Sequence, residues 1–365
     1  MVPSEALKIL KQEGLRPPRT LTLAITGACN LACFHCWVDA GGEAAAGHVP
    51  ERILRRLIGE FADLGGTGVC ITGGEPLCHP AWLRLLQFCR SSGLCAVSIQ
   101  TNACLVSDEV VAGLRDLGLP RLSIQVSLDG ATAQTHDLVR GEGAYAMALA
   151  GLRRLAEGGL ADRITIFFTE MRHNLTEIPA LLALAEGLGI GSVVTGSLVL
   201  CGRAGKEPIV EPPSLDQYED LARSFASDPR FRALYERLGT IAPLEWLRES
   251  MPRTECCTFV ENPYLTAGGT LYPCIMCHAG DFAVTGVLGK ELAAALAEGA
   301  RLWNVLLRMS RCRAETNPAC RSCPGGFVCA GGCMGRAWGS SGDLQAVDDR
   351  CEVRRAMYRR NESLR

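Results

Sequence analysis

No stretch of the 365 residues reaches the roughly 18 consecutive apolar residues of a membrane span. The opening segment MVPSEALKILKQEGLRPPR has no apolar core followed by a cleavage site. A membrane helix and a secretory signal are therefore both missing, and a cytoplasmic protein is expected. Charge of one sign is lacking too. Lys and Arg number 37 against 39 Asp and Glu, the net charge is −2, and the basic residues are dispersed, so the electrostatic footprint of a nucleic-acid binder is missing. There is no internal repeat and no low-complexity segment.

What is abundant is cysteine, with 19 residues. A reducing cytosol does not sustain disulfide frameworks, which belong to short secreted chains, so metal or cluster ligation is the better account. Three cysteines lie between Cys29 and Cys36, ten between Cys256 and Cys351, and six are scattered between these groups. Two metal regions thus flank a cysteine-poor body. At this length one large domain and a smaller one are expected.

From Leu21 onward, runs rich in β-branched residues alternate with amphipathic stretches. LTLAIT, TGVCIT, CAVSIQT, RLSIQVSLD, RITIFFTE and SVVTGSLVL read as six buried strands. Between the first two, residues 51–64 place Ile53, Leu54, Leu57, Ile58, Phe61 and Leu64 on one helical face, bounded by Pro50 and by Gly65-Gly66. Strand, helix, strand order implies parallel pairing with right-handed crossovers, and six units fall short of the eight that close a barrel. The expected fold class is α/β, an open (β/α)6 barrel with its chemistry on loops at the carboxyl ends of the strands. Prolines 208, 212 and 213 and a helix from Ser214 mark its end. From about Pro252 onward Gly, Pro and Cys dominate, which describes a small domain that depends on metal to fold.

Cys29, Cys33 and Cys36 follow the first strand directly. Three thiolates leave one metal corner open, whereas a structural zinc or cluster site takes four protein ligands. The second strand ends in Thr72-Gly73-Gly74-Glu75-Pro76, where glycines let backbone approach a ligand closely. This pair of motifs at the ends of consecutive strands resembles the signature of the radical S-adenosylmethionine (SAM) superfamily. The resemblance implies a partial (β/α)6 barrel over residues 18–240, preceded by an N-terminal arm, 1–17. It implies a 4Fe-4S cluster on Cys29, Cys33 and Cys36 whose open iron chelates SAM, with Gly73, Gly74, Glu75 and Pro76 at the methionine end. It further implies one-electron cleavage of SAM to methionine and a 5′-deoxyadenosyl radical, which takes a hydrogen atom from the substrate, and an electron donor such as flavodoxin or ferredoxin. Ser127 closes the fourth strand where relatives place polar groups on SAM. Asp129 beside it is explained by an Asp-Gly turn, and Asn102 and Glu170 are weaker candidates. His35 stands where an aromatic ring usually packs near the adenine.

The second cysteine group reads Cys256-Cys257, Cys274, then Cys320, Cys323, Cys329, Cys333 and Cys351. Spacing alone admits zinc as well as clusters. The ordered pattern resembles the SPASM domain that follows many radical SAM barrels and binds auxiliary 4Fe-4S clusters, here expected over residues 250–355 with a tail at 356–365. The resemblance implies that Cys320, Cys323, Cys329 and Cys351 hold the distal cluster. It implies that Cys274, Cys333 and one of Cys256 or Cys257, with Cys257 preferred, hold the nearer one. The fourth ligand of the nearer cluster stays open between Cys277, Cys312, the other member of the pair, and no protein ligand. Cys70, Cys78, Cys89, Cys95, Cys104 and Cys201 read as small core residues.

The substrate the resemblance implies is a peptide or protein, which is crosslinked, oxidised or epimerised. The same chemistry on a small molecule such as a tetrapyrrole is the alternative, and a non-catalytic electron carrier is a third reading. Ile275 stands where sulfatase-maturing relatives carry an Asp base, with Asp281 the nearest substitute. No additional N-terminal peptide-binding domain is expected, so leader recognition falls to the barrel, to the SPASM region or to a separate protein. Arg350, Arg354, Arg355, Arg359 and Arg360 read as one basic helical face, either solvated or open to an acidic leader.

Overall fold

The computed structural model describes residues 1–41, 47–248, 250–255 and 260–361. Cys256 and Cys257 lie outside them. Six strands appear where the β-branched runs stand: β1 (Thr20–Ala24), β2 (Gly68–Thr72), β3 (Ala96–Thr101), β4 (Arg121–Ser127), β5 (Ile164–Glu170) and β6 (Ser192–Ser197). All pair in parallel in sequence order. The helix Glu51–Asp63 buries Leu54, Leu57, Ile58 and Phe61, one face of a 3.6-residue period.

The sheet is larger than six strands. Gly239–Thr240 (β7) adds to β6, and a hairpin of Tyr264–Leu265 (β8) and Leu271–Tyr272 (β9) adds to β1, giving the order β7-β6-β5-β4-β3-β2-β1-β8-β9. Two-residue strands carry no readable periodicity. The cysteine-rich region therefore begins as an extension of the barrel's own sheet.

That region also has more apolar structure than its Gly, Pro and Cys content suggests. The helix Leu292–Thr316 buries Leu296, Trp303, Leu306 and Leu307 in the same core cluster as the barrel. Burial of each such side chain contributes roughly 1.5–3 kcal/mol. Leu292 N–H donates to Glu60 Oε2 at 2.7 Å, and Arg56 of the same barrel helix donates to the carbonyls of Leu288 and Lys290. Residues expected as an N-terminal arm form the helix Pro3–Gln12, which packs on the helix Leu292–Thr316. The apolar core of the C-terminal region is thus continuous with the barrel's. The final helix runs Cys351–Arg360 with Met357 and Tyr358 buried, into the stretch read as a tail. No helix among the described residues is long and apolar enough to cross a membrane.

Alternation on the strands divides the sheet. Val97, Ile99, Ile124, Val126, Ile166, Phe168 and Val193 enter the core beneath the helices. The residues between them face the lumen, because successive side chains of a strand point to opposite faces.

Candidate active site

The loop after β1 carries Cys29, Cys33 and Cys36, all partly buried. Its shape is set by neighbours as well as by the thiols, Cys36 Sγ accepting from Ala40 N–H at 3.3 Å. Arg203 donates to the carbonyls of Cys33 and Ala40, both at 2.8 Å, and to Asp39, while its backbone N–H reaches the Cys36 carbonyl at 2.9 Å. Gly202 must be glycine, since a Cβ there would stand 2.5 Å from the Trp37 carbonyl oxygen at a φ of +57°. Phe34 N–H is tied to Val139 at 2.8 Å. Burial pushes the Cys29 thiol up to about 12 and raises Cys33 as well, with Arg140 opposing the rise at Cys33. A thiolate here needs a cation to hold it.

The turn after β2 lies directly against this loop. Gly74 and Glu75 donate from their N–H groups to the carbonyls of Thr26 and Ala28 at 2.8 and 2.9 Å. A Cβ on Gly73 or Gly74 would approach the Thr26 and Ala28 oxygens to 2.3 and 2.2 Å. Glu75 is buried and its carboxylate accepts from Leu77 N–H, Thr101 Oγ1 and Asn102 N–H at 3.1, 2.7 and 2.7 Å. It locks the turn to the end of β3. Burial raises its pKa, against those hydrogen bonds. Pro76, also buried, starts the short turn Pro76–Cys78.

Asp129, at the exit of β4, is fully buried and gathers three donors. Arg140 Nε lies at 2.6 Å, Thr169 N–H at 2.8 Å and His35 Nε2 at 3.0 Å. Burial alone would raise its pKa, but Arg140 and then His35 override this and hold the carboxyl well below the usual range. The Asp-Gly turn is therefore also the strut that holds His35, and with it the cysteine loop. Ser127 faces the lumen. Across the strands its neighbours form rows: Thr22, Cys70, Ser98 and Ser123 share one register, Gln100, Gln125, Thr165 and Ser192 the next, and Ser127, Phe167 and Val194 a third. The lumen is lined mainly by hydroxyl and amide side chains. Glu170 points the other way, bound to Thr195, Ser197 and Tyr218, and Asn102 is bound to Asn30 at 2.8 Å.

Placed together at the mouth of a parallel barrel, a three-thiol loop and a glycine turn pressed on it meet the family-level comparisons directly. The Radical SAM superfamily model matches residues 23–185. The AdoMet-dependent heme synthase of Methanosarcina barkeri is 30% identical over 350 residues, which covers 92% of this chain and 97% of that one. The chain belongs to the radical SAM superfamily. It is therefore a radical SAM enzyme, and membership implies a 4Fe-4S cluster and SAM as cofactors. The mycofactocin maturase MftC of Mycobacterium ulcerans is 36% identical over 179 residues, 49% of this chain and 47% of that one. Among solved structures, anSMEcpe with bound AdoMet and Cp18Cys peptide shares the fold at a TM-score of 0.73, with 16% identity and coverage of 94% of this chain and 96% of that chain. The donor set fits the cofactors: three thiols on one loop leave a metal corner free for an amino acid chelate.

The radical SAM loop also meets the second cysteine group. Trp37, next to Cys36, stands 5.0 Å from the ring of His278, which follows Cys277 and stacks on Tyr272 at 4.5 Å. Cys274 and Cys277 share a turn whose backbone lies against Gly335, two residues past Cys333: a Cβ on Gly335 would be 2.1 Å from the Met276 carbonyl oxygen. Cys320, Cys323, Cys329 and Cys351 line one pocket together with Arg354, Arg355 and Tyr358. Among the described residues no three His, Cys, Asp or Glu side chains converge closely enough for a single ion. Cys312 is exposed on the helix Leu292–Thr316, and Asp281 is exposed on a short turn.

The C-terminal arginines divide: Arg359 and Arg360 are exposed and Arg355 is half-buried, while the other two turn inward. Arg350 and Arg354 are buried. Arg350 donates to Tyr218 Oη at 2.7 Å, Arg354 pairs with Asp348, Arg355 donates to the Ala319 carbonyl at 2.8 Å, and Arg360 lies 3.3 Å from Glu219. The helical spacing holds, but only its N-terminal part packs inward. Arg203 is not readable from the sequence because its partners lie more than 160 residues away, and no local motif marks Arg140, Gln100 or Gln125.

Proposed function

We propose that the chain uses radical SAM chemistry to modify a peptide or protein substrate by crosslinking, oxidation or epimerisation. The observation that carries this reading is the polar lumen. An extended peptide brings backbone N–H and C=O groups that must be hydrogen-bonded once buried, and Gln100, Gln125, Ser123, Ser127 and Thr165 supply partners. A flat tetrapyrrole calls for apolar walls, and here only Phe167 and Val194 stand in the third row. The match to a maturase at 36% identity supports it.

Cys29, Cys33 and Cys36 would hold the cluster, and the Gly73, Gly74, Glu75 and Pro76 turn would receive the methionine end of SAM. Ser127 and His35 would border its ribose and adenine. When bound and reduced, the cluster supplies one electron to SAM, and the radical released removes a hydrogen atom from the substrate. The chain's own task is to align the substrate C–H and keep water out, which the rows of lumen side chains and the Arg203 and Asp129 struts accomplish by fixing the mouth. Cys320, Cys323, Cys329 and Cys351 would hold one auxiliary cluster, and Cys274, Cys333 and Cys257 another. Flavodoxin or ferredoxin would supply electrons, and the barrel, the SPASM region or a separate protein would bind the leader.

A second reading, modification of a tetrapyrrole, is favoured by the nearly full-length match to a heme synthase. Co-expression with a short peptide encoded beside the gene separates the two. The expected result is a modified peptide: loss of two hydrogens for a crosslink or oxidation, or one deuterium gained in heavy water for an epimerisation. A peptide recovered unaltered in both respects would contradict the leading reading.

A further inference from the structure

The two C-terminal cysteine sets are joined by a buried hydrogen-bonded bridge. Asp348 Oδ2 accepts from the backbone N–H of Cys333 at 2.7 Å and from Arg354 Nη2. The other terminal nitrogen of Arg354, Nη1, donates to Cys329 Sγ at 3.0 Å. The guanidinium is held from a further side by Trp246, whose ring centre lies 5.3 Å from Cζ. Asp348 is fixed in turn by Arg350 N–H on its other oxygen, at 3.0 Å. The bridge dictates the residue at 332: a Cβ there would stand 2.6 Å from Asp348 Oδ2 and 2.8 Å from Arg354 Nη1, at a φ of +81°.

A plain structural ion pair would turn both guanidinium nitrogens toward the carboxylate, the fork geometry that binds most strongly. Here one nitrogen is spent on sulfur instead. We propose that Arg354 sets the reduction potential of the distal auxiliary cluster through its bond to Cys329, and that Asp348 positions Arg354 while tying it to Cys333 of the nearer set. The proposal rests on the reading of the four-cysteine pocket as a cluster site. Gaining one electron adds one negative charge to a cluster and its thiolates. A buried cation and an N–H donor on a ligand sulfur stabilise that reduced form and so raise the potential. Arg355, whose Nη2 lies 4.0 Å from Cys351 Sγ, adds to the same field from the rim.

The test is an EPR-monitored potentiometric titration of the anaerobically reconstituted full chain, with dithionite as reductant. The distal signal is the one missing from a Cys320→Ala/Cys323→Ala variant. If that double variant keeps the wild-type iron and all its signals, the cluster reading fails, and the proposal with it. With the distal signal identified, Arg354→Gln is expected to keep its iron and to shift that midpoint downward. The reduced-to-oxidised ratio at the wild-type midpoint should fall about tenfold, which is 59 mV for one electron. Should the glutamine variant lose the distal iron, Arg354→Lys decides: it keeps the charge but not the planar fork, and its midpoint should fall by less but measurably. A distal midpoint unchanged in whichever variant retains the cluster overturns the proposal and leaves Arg354 as a structural ion pair.

Discussion

Replacing Cys29, Cys33 and Cys36 together by Ala is expected to abolish 5′-deoxyadenosine formation and to remove one cluster, about four iron atoms per chain. The effect is all-or-none because no other group on the loop can take the place of the thiolates. The variant should still fold. The loop is held largely through backbone groups: Arg203 on the Cys33 and Ala40 carbonyls, the Gly74 and Glu75 N–H groups on the Thr26 and Ala28 carbonyls, and the Val139 carbonyl on Phe34 N–H. Iron and sulfide analysis with chromatography of the nucleoside product checks it. Continued formation of 5′-deoxyadenosine in the triple variant would contradict the assignment of the site.

The second large effect is expected at Asp129, and it acts on stability as well as on the site. Asp129→Ala leaves the Arg140 guanidinium buried with no carboxylate, and removing one partner of a buried pair costs about 3–5 kcal/mol. It also frees His35, between Cys33 and Cys36, and the Thr169 N–H. Denaturant unfolding of the anaerobic protein should show a loss of that order, together with weaker SAM binding. Asp129→Asn should lose less, because the amide still accepts hydrogen bonds. The sign with pH follows from the depressed pKa. The contribution of Asp129 is fully present above the usual carboxylate value of about 3.9 and is lost only as the pH falls below it toward the folded value. An alanine variant as stable as the wild type would show the strut to be incidental.

How much of this was legible in the sequence depended on the range of the interaction. Strands β1 to β6 and the helix Glu51–Asp63 were readable because their patterns are local: β-branched runs and a bounded apolar face. The cysteine triplet and the glycine turn were readable for the same reason, since each is a short motif whose place is fixed by the strand before it. Local patterns fail where the partner is far away. Nothing in residues 264–272 announces two-residue strands that pair only because β1 offers a free edge. The Gly, Pro and Cys content around it obscured the helix Leu292–Thr316, whose burial depends on the N-terminal helix 300 residues distant in sequence order, as the bond from Asn304 Nδ2 to the Glu13 carbonyl illustrates (|i−j| 291). The C-terminal arginines show the same limit in reverse. Their helical spacing was sound, yet period alone does not say whether a face meets solvent or an acidic, sulfur-lined interior. In the site, Asp129 is readable as a turn but not as the partner of Arg140 and His35, because its donors come from a helix, a strand and the cysteine loop.

The central claim is that a peptide, and not a tetrapyrrole, is what the radical acts on. Its most direct test is the rate of 5′-deoxyadenosine formation by the reconstituted enzyme with SAM and reductant, measured alone, with a short precursor peptide encoded beside the gene, and with an iron coproporphyrin. Slow, uncoupled turnover without substrate is expected, with acceleration by the peptide and its recovery in altered form. Acceleration by the porphyrin, with the porphyrin changed in mass and the peptide inert, would contradict the account.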